Sequence, residues 1–126
     1  MITLNTKVFN WYIMVEYKHC KDYKIPISLL NKIKARDKHC VYCHKKLKEL
    51  PNAIGTPSNK ATVEHMDDAS VKNPKEWNVT MCCGSCNSSR GPKELLDWFN
   101  LKYCKKRNIN KSTVAKVVVN YLKKTS

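Results

Sequence analysis

The chain has 126 residues, with 24 lysines and arginines against 10 acidic side chains and a formal charge of +14. A length of this order holds a single domain, expected over 1–126, that buries about two-thirds of its unfolded surface. Such an excess favours a polyanionic partner, because each neutralised phosphate releases condensed counterions. Nearly all of it is lysine, the arginines being Arg36, Arg90 and Arg107. Lysine is a point charge suited to phosphate, whereas bidentate reading of guanine is more often an arginine task. Seven cysteines, an odd number, argue against a secreted disulfide scaffold.

Residues 1–26 form an N-terminal extension that holds an apolar run over 8–15, interrupted by Asn10 and far too short to span a bilayer. With neither a basic leader nor a long apolar stretch there, the expected setting is a reducing cytoplasm, with Cys20, Cys82 and Cys104 as free thiols. Ser28 is a suitable N-cap for a helix that carries Leu29, Leu30 and Ile33 on one face and ends near Asp37. A Gly-, Pro- and Asn-containing stretch over 51–60 reads as an exposed loop. Ala61-Thr62-Val63 reads as a short strand delivering Glu64 and His65 at its end, and Asn78 to Met81 as a second strand. Further on, Leu95, Leu96, Phe99 and Tyr103 fall at helical spacing, with a break near Gly91-Pro92. Ser112 is the expected cap of a last helix facing the core with Val114, Val117, Val118, Tyr121 and Leu122. There is no internal repeat and no low-complexity tract.

The strongest motif is Cys40-Val41-Tyr42-Cys43, answered by Cys83-Gly84-Ser85-Cys86. Two C-x2-C pairs are the pattern of four thiolates closing on one structural zinc. Such an ion adds roughly 10–16 kcal/mol of apparent binding free energy to a small fold. His39 and His44 flank the first knuckle and Cys82 precedes the second, but the four evenly spaced cysteines take precedence as ligands. The segment between the knuckles is a loop tied at both ends. It contains Glu64-His65, and Asn87 follows its last ligand directly.

In this order (C-x2-C, Glu-His, Asn, C-x2-C-Asn) the residues of about 27–99 resemble the HNH endonucleases, in particular the small phage and bacterial type. The resemblance implies an α+β fold: a small ββα-metal (HNH or His-Me finger) core with zinc knuckles and flanking helices, followed here by a C-terminal helical segment over 100–126. It implies a DNA endonuclease, a hydrolase of phosphodiester bonds, in which His65 takes a proton from the attacking water. Imidazole suits this because it titrates near neutrality. Glu64 and Asn87 match the family's ligands for a catalytic divalent cation, Mg2+ or Mn2+, and Asn78 matches the central Asn that supports the loop holding the histidine. Many members carry a histidine where Asn87 stands, and its neutral oxygen favours hard Mg2+. Many also carry a Gly-Gly pair after the first histidine, and none occurs between Met66 and Asn78.

Other residues carry two readings. Arg90 shares a helical face with Asn87 and either reaches a phosphate near the metal or lies in solvent. Asp67 and Asp68 read as turn residues before they read as metal ligands. Trp77 and Trp98 belong to the core rather than to a base-stacking platform. Lys45, Lys46, Lys48, Lys102, Lys105, Lys106 and Arg107 are candidates for a DNA-facing surface. A monomer with one such site nicks, and double-strand cleavage takes a homodimer or two visits. The competing reading is a zinc-stabilised nucleic-acid-binding module without catalysis, for which Glu64, His65 and Asn87 would not all be needed.

Overall fold

A computed structural model describes residues 25–48 and 58–126; the run over 8–15, Cys20 and most of the expected 51–60 loop lie outside these. The first element, α1 (Ile27–Arg36), buries Leu29, Leu30 and Ile33 as the apolar spacing requires. Ser28 is not its cap. The helix begins one residue earlier, behind Pro26, whose extended backbone presents its carbonyl to the Leu30 amide at 3.0 Å. The helix stops at Asp37, whose amide still reaches the Ile33 carbonyl at 2.8 Å. The Asp37 carboxylate then turns inward, pairs with Arg36 and accepts the Met81 amide at 3.1 Å. That bond ties α1 to the strand beneath it.

Strands β1 (Ala61–His65) and β2 (Val79–Cys83) form an antiparallel pair in which Ala61 faces Cys83 and His65 faces Val79. Alternation along a strand sends neighbouring side chains to opposite faces. Ala61, Val63, Val79 and Met81 therefore share one face and pack with Leu29, Leu30 and Ile33 of α1 in one apolar cluster. Thr62, Glu64, Thr80 and Cys82 occupy the other face, towards α3 (Gly84–Arg90). The β1–β2–α3 succession is the ββ-then-α order expected from the sequence. Between the strands lies a single short turn of helix, α2 (Ala69–Lys72).

The remaining helices build a second core beyond α3. They are α4 (Leu95–Phe99), α5 (Lys102–Arg107) and α6 (Lys116–Thr125). Trp98, fully buried, meets Tyr42 of the first knuckle edge-on at 5.0 Å and stacks near Tyr103 at 6.0 Å. Trp77 is half-buried, lying against Tyr121 with Lys124 above its ring. The break at Gly91-Pro92 is as expected: Gly91 sits at φ +53, a conformation L side chains rarely adopt, and ends α3.

Two expectations fail here. Leu96 is 55% exposed rather than inward, because α3, α4 and α5 are separate short helices and a single helical register does not run through them. Ser112 does not cap the last helix, which starts at Lys116. Its amide is held by the Asn110 side chain at 2.8 Å, and the Thr113 hydroxyl donates to the Asn108 carbonyl at 2.7 Å, so local side-chain bonds make a turn of 108–113. Among the described residues, no helix is long and apolar enough to cross a membrane.

Candidate metal centre and candidate active site

The first knuckle is a tight turn: the Cys40 amide donates to the Lys45 carbonyl at 2.8 Å, and His44 closes it with φ 67 and an amide bond to the Cys40 carbonyl at 2.9 Å. The second begins as β2 becomes α3, where the Cys83 sulfur accepts the Cys86 amide at 3.4 Å and caps the helix. All four sulfurs lie within 4.8 Å of one another, and Cys43 and Cys83 are 3.7 Å apart. Sulfurs around a tetrahedral zinc with bonds of about 2.3 Å stand about 3.8 Å apart. The four cysteines could hold such an ion. Hydrogen bonding among the four thiols couples their ionisation, raising Cys40 and Cys86 and lowering Cys43 and Cys83. A dication allows all four to ionise together.

Neither histidine beside the knuckle belongs to this group. His44 contacts the Thr113 carbonyl instead. Cys82 is fully buried on the other side of β2, bonded to Thr62 Oγ1, and Cys104 is buried in the second core with its thiol pushed up to about 11 by desolvation. Tyr103, a residue the motif reading passes over, places its hydroxyl 3.4 Å from Cys86 Sγ.

At the far end of β1 the expected catalytic residues meet α3. Asn87 donates its amide nitrogen to Thr62 Oγ1 at 3.0 Å and to the Val63 carbonyl at 3.2 Å. Its amide oxygen is therefore the atom left to meet a cation. Glu64 is 4% exposed; its Oε1 lies 3.2 Å from Arg90 and its Oε2 accepts the Tyr42 hydroxyl at 2.9 Å. Burial pushes its carboxyl up, against the opposing pull of Arg90 and Tyr42. Thr80 Oγ1, across the strands from Glu64, is buried without a protein hydrogen-bond partner. Carboxylate, amide and hydroxyl oxygens are donors of the class that hard divalent cations take.

Arg90 departs from one of its two sequence readings, that of a residue in solvent. It is neither in solvent nor turned outward: its guanidinium bonds the His65, Met66 and Lys93 carbonyls at 3.0, 2.7 and 2.9 Å while pairing with Glu64. It is a strut that clamps the end of β1 to α3. Asn78 is also structural, accepting the Lys75 amide at 2.7 Å and donating to the Asn73 carbonyl at 3.2 Å. Its own carbonyl takes the Met66 amide at 3.1 Å, so it shapes the segment that follows His65.

Glu64 and His65 do leave the strand on opposite faces, because the ladder continues to the His65–Val79 pair. The half-buried His65 ring lies 3.2 Å, through Nδ1, from the Ser70 hydroxyl. His65 and Arg90 also line an open cavity of about 430 Å³, with Asp67, Asp68 and Tyr121 on its wall. Asp67 has the turn role: Oδ1 accepts the Ser70 amide at 2.8 Å and Oδ2 the Tyr121 hydroxyl at 2.7 Å. Tyr42 and Ser70 are the residues that sequence spacing missed. The signal for Tyr42 was present, since an aromatic side chain between two ligands of a buried knuckle has to point into the core.

No family model matches the chain, and no curated protein matches it. Among solved structures, the Type II-C Cas9 enzyme from Actinomyces naeslundii aligns with 96% of this chain at 17% identity and a TM-score of 0.45. This chain spans 12% of the length of that one. A likeness of that degree leaves each residue's role to its own surroundings.

Proposed function

We propose that the protein is an HNH-type endonuclease that hydrolyses DNA phosphodiester bonds with the help of a divalent cation, on a scaffold held by a separate four-cysteine zinc. The observation that carries this reading is the crossing of β1 and α3, where Asn87 bonds beside Thr62 and Val63 and Arg90 bonds beside Glu64 and His65. Glu64 and Asn87 would hold Mg2+ or Mn2+, which when bound supplies positive charge to the phosphate and the leaving 3′ oxygen. His65, at the edge of an open cavity, accepts the proton of the attacking water. Excess lysine holds the DNA backbone, and a monomer makes one nick per visit.

The test is incubation of supercoiled plasmid with EDTA, Mg2+, Mn2+ or Zn2+, using wild type and His65→Ala. Nicked or linear product is expected with Mg2+ or Mn2+ only. His65→Ala should retain its fold and DNA affinity and lose cleavage, and wild-type cleavage by this variant would remove His65 from the chemistry. One observation favours a second reading, a zinc-stabilised nucleic-acid-binding module: Glu64 already has a cation, Arg90, at 3.2 Å. DNA binding without cleavage under every ion would make that the function.

A further inference from the structure

Cys86 is fully buried, so bulk water does not reach its sulfur. Four thiolates around one dication carry two negative charges more than the ion cancels. Buried charge of this kind is tolerated where hydrogen-bond donors meet it. At Cys83 the donor is backbone: its sulfur accepts the Cys86 amide at 3.4 Å. At Cys86 the partner is a side chain from another element, the Tyr103 hydroxyl of α5, 3.4 Å from Sγ. A thiolate that binds zinc has no proton, so at a loaded cluster the hydroxyl is the member of this pair that donates. The ring behind the hydroxyl is held by contacts that do not use it. Trp98 stacks with it at 6.0 Å and 26°. The Arg107 guanidinium lies 3.7 Å from its centroid, drawn by the ring's electron density, and donates back to the Tyr103 carbonyl at 3.1 Å.

We propose that Tyr103 is a positioning residue of the metal centre, its hydroxyl donating to the Cys86 sulfur and so retaining the zinc. The proposal rests on the reading of the four cysteines as a zinc site and is independent of the nuclease reading. The bond serves the ion in two ways. It draws negative charge away from Cys86 and so eases the repulsion among the four sulfurs. It also tethers the sulfur to a packed ring, so that a ligand which lets go of the ion stays beside it. Because the ring is fixed by Trp98 and Arg107, little freedom is lost when the bond forms. The same bond ties α5, the helix of Lys102, Lys105 and Lys106, to the second knuckle.

The experiment compares wild type with Tyr103→Phe, which keeps the ring and its neighbours and removes the hydroxyl alone. Zinc affinity is measured by competition with a chromogenic chelator, and the cobalt(II)-loaded proteins are compared by near-ultraviolet absorption. Zinc affinity should fall about 10–100-fold in Tyr103→Phe, the usual loss when a hydrogen-bond partner of a metal ligand is removed. The sulfur-to-cobalt charge-transfer band should move to longer wavelength, because a thiolate without its hydrogen bond gives up electron density more readily. A hydroxyl that only supported packing would leave that band in place. An unmoved band therefore overturns the proposal, whatever happens to the melting curve, and so does equal zinc affinity in the two proteins. A wild type that takes up neither zinc nor cobalt removes the metal centre itself and the proposal with it.

Discussion

Glu64 and Arg90, at 4% and 5% exposure, are as hidden as the apolar residues around them, and neither could be there alone. Each charge forfeits its hydration, and the pair is tolerated because Tyr42 and three backbone carbonyls satisfy what the ions do not give each other. Removing one partner leaves the other buried and uncompensated. Arg90→Ala is therefore expected to destabilise the fold by about 3–5 kcal/mol. Tyr42→Phe, which removes a single bond to the carboxylate, should cost roughly 1–3 kcal/mol. Urea unfolding of the two variants and of the double variant measures both, and a loss below about 1 kcal/mol for Arg90→Ala would show that the pair is not a strut. The sequence made the shared face of Asn87 and Arg90 legible through their spacing. It could not show which way that face turns, because only the fold sets α3 against the inner side of β1.

The elements were read best where one pattern dominated. The strand that delivers Glu64 and His65, the apolar face of α1 and the stop at Gly91 all came from local periodicity or backbone chemistry. What stayed hidden were competitions: the Asn110 and Val41 carbonyls take the Val114 and Ala115 amides that a cap at Ser112 would use, and Pro26 starts α1 before Ser28 can. Cys83 belongs to three elements at once, as the last residue of β2, the cap of α3 and one corner of the sulfur cluster. Cys83→Ser separates two of these roles. Serine is among the best N-caps, so α3 keeps its start, whereas a hydroxyl is a poor substitute for a zinc thiolate. The variant should bind much less zinc and melt well below the wild type, close to wild type stripped by a strong chelator. Unchanged zinc content and an unchanged melting curve would remove the structural ion from the account of this fold.

At the scale of the whole molecule, two apolar clusters sit on opposite faces of a two-stranded sheet too small to be stable alone. The cysteine knuckles join that sheet to the helices, and the chain as a whole is strongly basic, with a formal charge of +14. Not every cation is available to a ligand: Arg90 is buried, Arg36 is paired with Asp37, and Lys32 lies 3.0 Å from Glu76. Lys102, Lys105, Lys106 and Arg107 on α5, with Lys45, Lys46 and Lys48 by the first knuckle, remain exposed. If four of these meet phosphates, log Kobs for a short DNA duplex should fall against log salt with a slope of about −3.6, since each contact contributes about −0.9. Anisotropy titrations across a salt series give that slope directly. Replacing Lys102, Lys105 and Lys106 with alanine should flatten it while leaving zinc content and melting unchanged, because none of the three is buried. A slope near zero in the wild type would mean that the charge serves something other than a nucleic-acid backbone. Placing the lysines at phosphates also predicts loose sequence preference: discrimination between unrelated duplexes should be small and should not grow with salt, because phosphate contacts carry no base identity.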